Sequence, residues 1–540
     1  MRKNIYKTLL FIIGIVLFTA CANEDELSSE QKGKVILDAT QFTLTEETYG
    51  KELAITRADD FNPKTETYSL GNGVEAEVTL EREKRSNQQL ITRAQEIDNQ
   101  HYTIKVYDNS GSLVGTLKGT VAGVGATKAF TPDAGTPKQL VLSPNTYTFV
   151  CFNDKVELNN NKLIVTDSNA GQALIGRTQV AVSGNKYQVH FDMKHQAARV
   201  RFEMTTYWDI VGITANIQQT ASDPAVLTYN ADATNPQYVS SASSINKHYT
   251  FPNKTVEASN YTYTSVSDYQ YYLPSSKGNS FKLIFQSGNL YEKSLANKLM
   301  TFDKFPRTEL AANESYIVKI KLYYTYQYLF QDGTTGTLLQ GKMAGKTPIG
   351  ACTAGNRAMA LKSIGVYNWS NTRPQWDNRS HSENINDHKQ VLWGWELTYN
   401  ANQSYDNSTV KANEQNRYPA FYLAAHYNPG VPTTNLGHWY LPSLGEVLDA
   451  YHAIGHFDKS SITGSWGDYN KDWNWKIYRV VFVQAGGAQS VGEWFWTSEE
   501  YNAEDAVNCG CSKDNGGYIR ISSYHKNEAK NFVRPFIKYN

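Results

Sequence analysis

The sequence predicts a mainly β protein, two tandem β-sandwiches followed by an α+β region. From Lys34 to about Tyr324 the chain is a series of short runs in which apolar and polar residues alternate, broken by Gly, Asn, Asp and Pro. That period is the signature of half-buried strands, and helical periodicity is almost absent. After Tyr326 the character changes. Nine of the eleven tryptophans lie at or beyond Trp376, the two earlier ones being Trp208 and Trp369, among Gly- and Asn-rich loops. The 540 residues suggest about three domains.

The N-terminus begins with Arg2, Lys3 and Lys7, continues as an apolar run from Leu9 to Phe18 and reaches Thr19-Ala20-Cys21. A basic start, a short apolar stretch and small residues describe a secretory signal peptide over residues 1–20. The run is too short to span a membrane, which needs about 20 apolar residues. "LFTAC" resembles a bacterial lipoprotein box, with Phe18 where Leu is usual, which implies cleavage before Cys21 and its acylation. "ANEDEL" then resembles the surface-export signal of Bacteroidetes lipoproteins and opens an acidic linker, residues 21–33. The expected location is the outer membrane, exposed at the surface, with periplasmic retention as the alternative.

Residues 34–190 are expected to form the first sandwich and 191–325 the second. "HYTIKVYDNSGSLVGTL" sets Tyr102, Ile104 and Val106 against Thr103, Lys105 and Tyr107, then turns at Asp108–Gly111, a hairpin pattern. "LVLSPNTYTFVCFN" repeats it around Ser143-Pro144-Asn145. "VHFDMKHQAARVRFEM" puts Val189, Phe191 and Met193 on one face, breaks at Gln196-Ala197, and resumes with Val200, Phe202 and Met204. "SFKLIFQSG" and "ESYIVKIKLYY" are later strands.

The lipobox, "PNTYTFVCFN" and "VHFDMKHQAARVRFEM" together resemble the fimbrillins, the pilin-like lipoproteins of Bacteroidetes, over about residues 30–325. The resemblance implies two transthyretin-like sandwiches. It also implies removal of an N-terminal strand by a trypsin-like protease after Arg, leaving a groove for a strand of the next subunit. "AITR" ending at Arg57 and "LITR" ending at Arg93 both fit. Arg57 is preferred because a cut there removes only one strand, residues 35–44. Partners on this reading are other fimbrial subunits.

Residues 326–540 form the third region, with helices in "YPAFYLAAHY" and "LPSLGEVLDAYHAIG". Its Pro348-Ile349-Gly350, Pro419-Ala420, Trp439-Tyr440-Leu441-Pro442-Ser443, Glu446, Trp496-Thr497-Ser498-Glu499 and Val533-Arg534-Pro535 are similar to the C-terminal domain shared by Legionella collagen-like proteins and the Fibrobacter major-paralogue family. That likeness implies a C-type-lectin-like binding domain without enzymatic chemistry. Ser443 and Glu446 read as a capping box, with Leu444, Val447, Leu448 and Tyr451 as the buried stripe and Asp449 and His452 toward water. Trp494 and Trp496 are expected inside with Phe495 opposite, and Arg534 beside an acid such as Glu446 or Glu499. Ser443, Glu446, Trp496 and Arg534 are expected to determine the fold.

Little conventional chemistry is visible. Formal net charge is zero and charged residues are 19%, which argues against nucleic acid. Beyond Cys21 the cysteines are Cys151, Cys352, Cys509 and Cys511, and Cys509-Gly-Cys511 is too tight for a CxxC motif. "GKMAGKT" is one residue short of a phosphate loop, and His190, Asp192 and His195 do not share one strand face. "RPQWDN" lacks the paired carboxylates of a calcium site. No metal or cofactor is expected, and no carboxylate pair suggests a glycosidase. A glycan or protein ligand would meet aromatic side chains of loops 369–378 and 465–475, namely Trp369, Trp376, Trp466, Tyr469, Trp473 and Trp475. The expectation is a fimbrial surface lipoprotein, a tip adhesin whose C-terminal "FVRPFIKYN" is fixed within its own domain. The alternative is a surface glycan-binding lipoprotein that does not polymerise.

Overall fold

The computed structural model describes residues 33–50, 65–82, 100–122, 129–184, 187–241, 244–302, 309–372, 374–464 and 466–540. The chain is mainly β. A seven-stranded sheet runs in the order Phe42–Glu46, Val189–His195, Leu174–Val182, Asn145–Asn153, Gln100–Tyr107, Leu113–Ala122 and Ala129–Pro132. Its first pair is parallel, Phe42 opposite Val189, and the others are antiparallel.

One face of this sheet is covered by the two-stranded pair Val35–Asp38 and Gln139–Leu142, over a core of Val35, Leu37, Phe42, Ile104, Val106, Phe149 and Phe191. The other face meets the strands Lys162–Thr166 and Pro224–Asn230 through Tyr107, Val150, Phe152, Leu163, Val165 and Leu227. Covering on both faces explains why alternation misleads over 103–107. Thr103, Lys105 and Tyr107, expected outside, are all buried. The single strand expected over 35–44 is divided by a 3-10 turn, Ala39–Gln41, which Asp38 caps by accepting from the Thr40 N–H at 2.8 Å. The turn lets the chain leave the small pair and join the large sheet.

The second sandwich packs the sheet Thr65–Gly71, Val74–Arg82, Ser315–Tyr324, Ala198–Thr206 and Tyr263–Val266 on Asn246–Thr250, Thr214–Gln218, Lys282–Ser287 and Leu299–Thr301. Val78, Phe202, Ile217, Tyr249, Phe285 and Ile320 lie between them. The division at residue 190 is not followed strictly. The hairpin 65–82 precedes it in sequence yet pairs with Ser315–Tyr324, from Arg82 opposite Tyr316 to Val74 opposite Tyr324.

The C-terminal region contains two six-stranded sheets. Helix Leu444–Gly455 packs on helix Trp475–Gln484 and on strands of both sheets. The second of these helices is absent from the sequence expectation; its β-branched Val480, Val481 and Val483 favour strands. Asn474 caps it, accepting from the Ile477 N–H at 3.0 Å. "GKMAGKT" falls on the end of helix Leu338–Met343 and the turn after it, not on a phosphate-binding loop. The final strand, Phe536–Lys538, lies between Arg357–Ala360 and Trp439–Tyr440.

The core of this region is continuous with that of the second sandwich. The Gln484 side chain donates to the Tyr324 carbonyl at 2.8 Å and accepts from the Tyr324 N–H at 3.0 Å. Tyr328 donates its hydroxyl to the Val481 carbonyl at 2.6 Å.

Candidate functional site

The string "WYLPSLGE" is a buried scaffold. Glu446 is fully buried and accepts from the Ser443 N–H at 3.0 Å and the Tyr440 hydroxyl at 3.1 Å, with Arg357 at 3.8 Å. Burial raises its pKa against these stabilising partners. Gly394 is required beside it, since a Cβ there would come within 2.6 Å of the Glu446 carboxylate. The capping box is present, and the Ser443 hydroxyl also donates to the Val391 carbonyl at 2.7 Å. Asp449, expected in water, is instead buried against Arg357 at 3.0 Å and Lys459. The helix is central to the region, so nearly every face is covered, while His452 remains exposed.

Arg534 lies beside an acid other than the two named. It is buried and reaches neither Glu446 nor Glu499. Its Nε and Nη2 each donate at 3.0 Å, to the Ala360 and Leu361 carbonyls, Glu493 lies 3.5 Å away, and the guanidinium sits 4.2 Å from the Phe482 ring centroid. Glu499 holds His388 at 2.7 Å and accepts from the Leu444 N–H at 2.5 Å. Trp496 is fully buried, donating to the Tyr367 carbonyl at 2.7 Å. Phe495 is buried too, and Trp494 only half-buried, because the sheet is covered on both faces.

The aromatic residues proposed for ligand contact divide by burial. Trp369 is fully buried against Tyr418 and Phe421, and Trp473 is buried against Tyr451 and Gly455. Neither reaches a ligand in this arrangement. Trp466 packs edge-on against Tyr501, Trp475 begins a helix, and Tyr469 pairs with Ile519 at a sheet edge; all three are half-buried and none joins Trp376 in a common pocket. Cys21, Arg57 and Arg93 lie outside the described residues.

Trp376 lines an open pocket of about 330 Å³ with Gln375, Asp377, Tyr405, Asp406, Arg417 and Tyr418. Trp376 stacks on His381, centroids 3.6 Å apart, while Tyr405 is 58% exposed. Arg417 bridges two acids, 3.6 Å from Asp406 and 4.0 Å from Asp377. Asp406 is held well below the usual carboxylate range by the Thr409 hydroxyl and the Ser408 and Thr409 N–H groups. The pocket offers an exposed tyrosine ring, a half-buried tryptophan ring, two acids and one arginine, a surface suited to a polar ligand with apolar faces.

Under the pocket lies a buried ionic cluster. Lys526 contacts Glu500 and lies 3.3 Å from Asp377, with all three side chains at most 4% exposed. Glu500 accepts from the Asp377 and Asn378 N–H groups, each at 2.9 Å, and fixes the loop that carries Trp376. Lys411 is fully buried, donates to the Ser404 hydroxyl at 2.9 Å, and is pushed down to about 8 by burial. Sequence reasoning missed this cluster. The second carboxylate that "RPQWDN" lacks comes from Glu500, 122 residues beyond Asn378, and no local pattern announces it. Groups of His, Cys, Asp and Glu able to hold a metal ion do not occur among the described residues.

No protein-family model matches the chain, and no curated protein matches it. Among solved structures, the chain is similar to a fimbrial protein from Bacteroides ovatus at 11% identity, covering 93% of this chain and 100% of that one, with a TM-score of 0.28. A candidate cell adhesion protein from Bacteroides uniformis is 13% identical over 42% of this chain and 91% of its own, TM-score 0.30. A fimbrial assembly protein from Parabacteroides distasonis is 11% identical over 41% and 83%, TM-score 0.22. Likenesses at these scores are too weak to carry a functional argument.

Proposed function

We propose that this chain is a lipid-anchored, surface-exposed subunit of fimbrial type that accepts a strand from a neighbour, keeps its strand Phe536–Lys538 within its own sheet, and binds a surface ligand through its C-terminal region. The anchor is Cys21, by the lipobox resemblance. The observation that carries the reading is the contrast between the segment 35–42 and the strand Phe536–Lys538. At the C-terminus, Phe536–Lys538 is hydrogen-bonded on both sides inside a sheet, so donating it would open the region's core. At the N-terminus, Val35, Leu37 and Phe42 fill an apolar seam from the edges of two sheets. Removing them would expose the edge of Val189–His195 and the strand Gln139–Leu142, a template for main-chain pairing with an incoming strand.

The ligand site we favour is the pocket of Trp376, Tyr405 and Tyr418, with a glycan as ligand, since sugar rings stack on aromatic faces and bond to flanking Asp and Arg groups. The test is treatment of the purified chain with an Arg-specific protease. The expected result is one cut after Arg57 followed by association with a strand-donating subunit. A chain that is cut and stays monomeric, or is never cut, favours a glycan-binding lipoprotein that does not polymerise.

A further inference from the structure

Three groups that water would normally solvate are enclosed together beneath the pocket. The Lys526 ammonium lies 3.3 Å from Asp377 Oδ2 and touches Glu500 Oε1, and it also donates to the Gln375 and Ala503 carbonyls at 2.9 and 3.0 Å. The Trp369 ring lies 5.3 Å from the ammonium. Isolating such charges from water is costly unless they are closely paired.

The two oxygens of Asp377 are not equivalent. Oδ1 accepts from the Tyr418 hydroxyl at 2.7 Å and the Gln375 side-chain amide at 3.1 Å, with Arg417 at 4.0 Å. Oδ2 faces the amine. One oxygen therefore sits among donors that would hold developing negative charge, and the other is placed to leave. Fixed donors of this kind, aimed where charge develops, lower the barrier to acyl chemistry, and enclosure of amine beside carboxyl supplies the proximity.

We propose that Lys526 and Asp377 become joined by an amide bond between Nζ and Cγ, with Glu500 moving the protons. Glu500 takes a proton from the ammonium and passes it to Oδ2. The neutral amine's lone pair attacks Cγ, and negative charge gathers on Oδ1 beside Tyr418 and Gln375. A second proton travels from Nζ through Glu500 to Oδ2, which leaves as water. The third proton stays on the amide nitrogen. One ammonium and one carboxylate thus give one amide and one water, with no change of oxidation state, no co-reactant, and Glu500 returned to its initial form. Burial raises the Glu500 pKa, as suits a carboxylate that must accept and then release a proton. Asp377 and Tyr418 line the pocket, which gives the water an exit. The bond removes two buried charges and ties residue 377 to residue 526.

Intact-mass measurement on the purified, denatured full chain decides the matter. The expected mass is lower by one water than that of the sequence after any leader removal and Cys21 acylation. Proteolysis should then yield a branched peptide joining Asp377 to Lys526, with Lys411 unmodified as an internal control. Glu500→Gln and Lys526→Arg should restore the unbranched mass while circular dichroism shows a folded chain. A folded wild-type chain with no loss of water overturns the proposal, as does a loss mapped to any other pair, Lys526 with Glu500 included.

Discussion

Tyr49 lies flat on His195, ring centroids 4.0 Å apart and planes 18° from parallel, and Arg199 stacks 4.6 Å from the same tyrosine ring. His195 also meets Glu46 at 3.0 Å, and the Gly50 N–H donates to the Asn313 carbonyl at 2.9 Å. Residues 46–50 are thereby fastened where the two sandwiches meet, just before the segment that contains Arg57.

Tyr49→Ala is expected to loosen this clasp. Loss of an aromatic pair costs about 0.5–1.5 kcal/mol beyond area burial, so the N-terminal strands should open several-fold more often. Limited proteolysis should release residues preceding 50 correspondingly faster, with the rest of the digestion pattern unchanged.

Glu446→Ala should be among the most damaging single changes in the C-terminal region. It leaves Arg357 short of a buried partner and removes the acceptor of the Ser443 N–H. Breaking one side of a buried ionic arrangement costs about 3–5 kcal/mol. Thermal unfolding followed by near-ultraviolet circular dichroism, which reports the tryptophan-rich region, should show a lower midpoint.

Trp376→Ala and Trp473→Ala should fail in different ways. Trp473 is buried, so truncation should cost about 3–5 kcal/mol of stability. Trp376 faces the pocket, so its loss should weaken glycan binding and leave the unfolding midpoint nearly unchanged. A glycan array on the full chain, beside a thermal melt, separates the two, and equal binding by Trp376→Ala and wild type would remove the pocket from consideration.

His101 bridges Asp154 at 2.7 Å and Asp133 at 2.8 Å, and hydrogen bonds to Asp154 and then Asp133 raise its pKa above the ordinary value. A histidine whose folded pKa is raised binds protons more tightly when folded, so its contribution is complete below about pH 6.5 and fades as pH rises through the folded value. Being partly exposed, it is worth at most about 1 kcal/mol. His101→Gln should therefore lower the melting midpoint at pH 5.5 and have little effect at pH 9.

The strands 189–195 and 198–206 were legible because each buries one side chain in two, and Ser443 with Glu446 because a cap is a local event. What was hidden was set by distance along the chain. Nothing in residues 65–82 says that they will pair with 315–324, since a strand's partner is chosen by packing and not by its own alternation. Lys105 and Asp449 look like surface residues until a second layer covers them. The cluster beneath the pocket is harder still, for Asp377, Glu500 and Lys526 come from three separate segments and meet only when the sheet has formed. Trp473 and Trp369 show the converse: aromatic residues in loop-like sequence turned inward, because a region with short strands needs large side chains to fill its interior.

The Gln484 amide, completing the edge of the strand 315–324 as though it were a backbone group, has a mechanical consequence. Among the described residues, the region that would hold a ligand shares one core with the sandwich behind it. Tension applied at the pocket would pass through a shared interior into Ser315–Tyr324, and from there laterally into Ala198–Thr206 and Val74–Arg82 by rows of hydrogen bonds loaded in parallel. Such an arrangement resists a pull as one body.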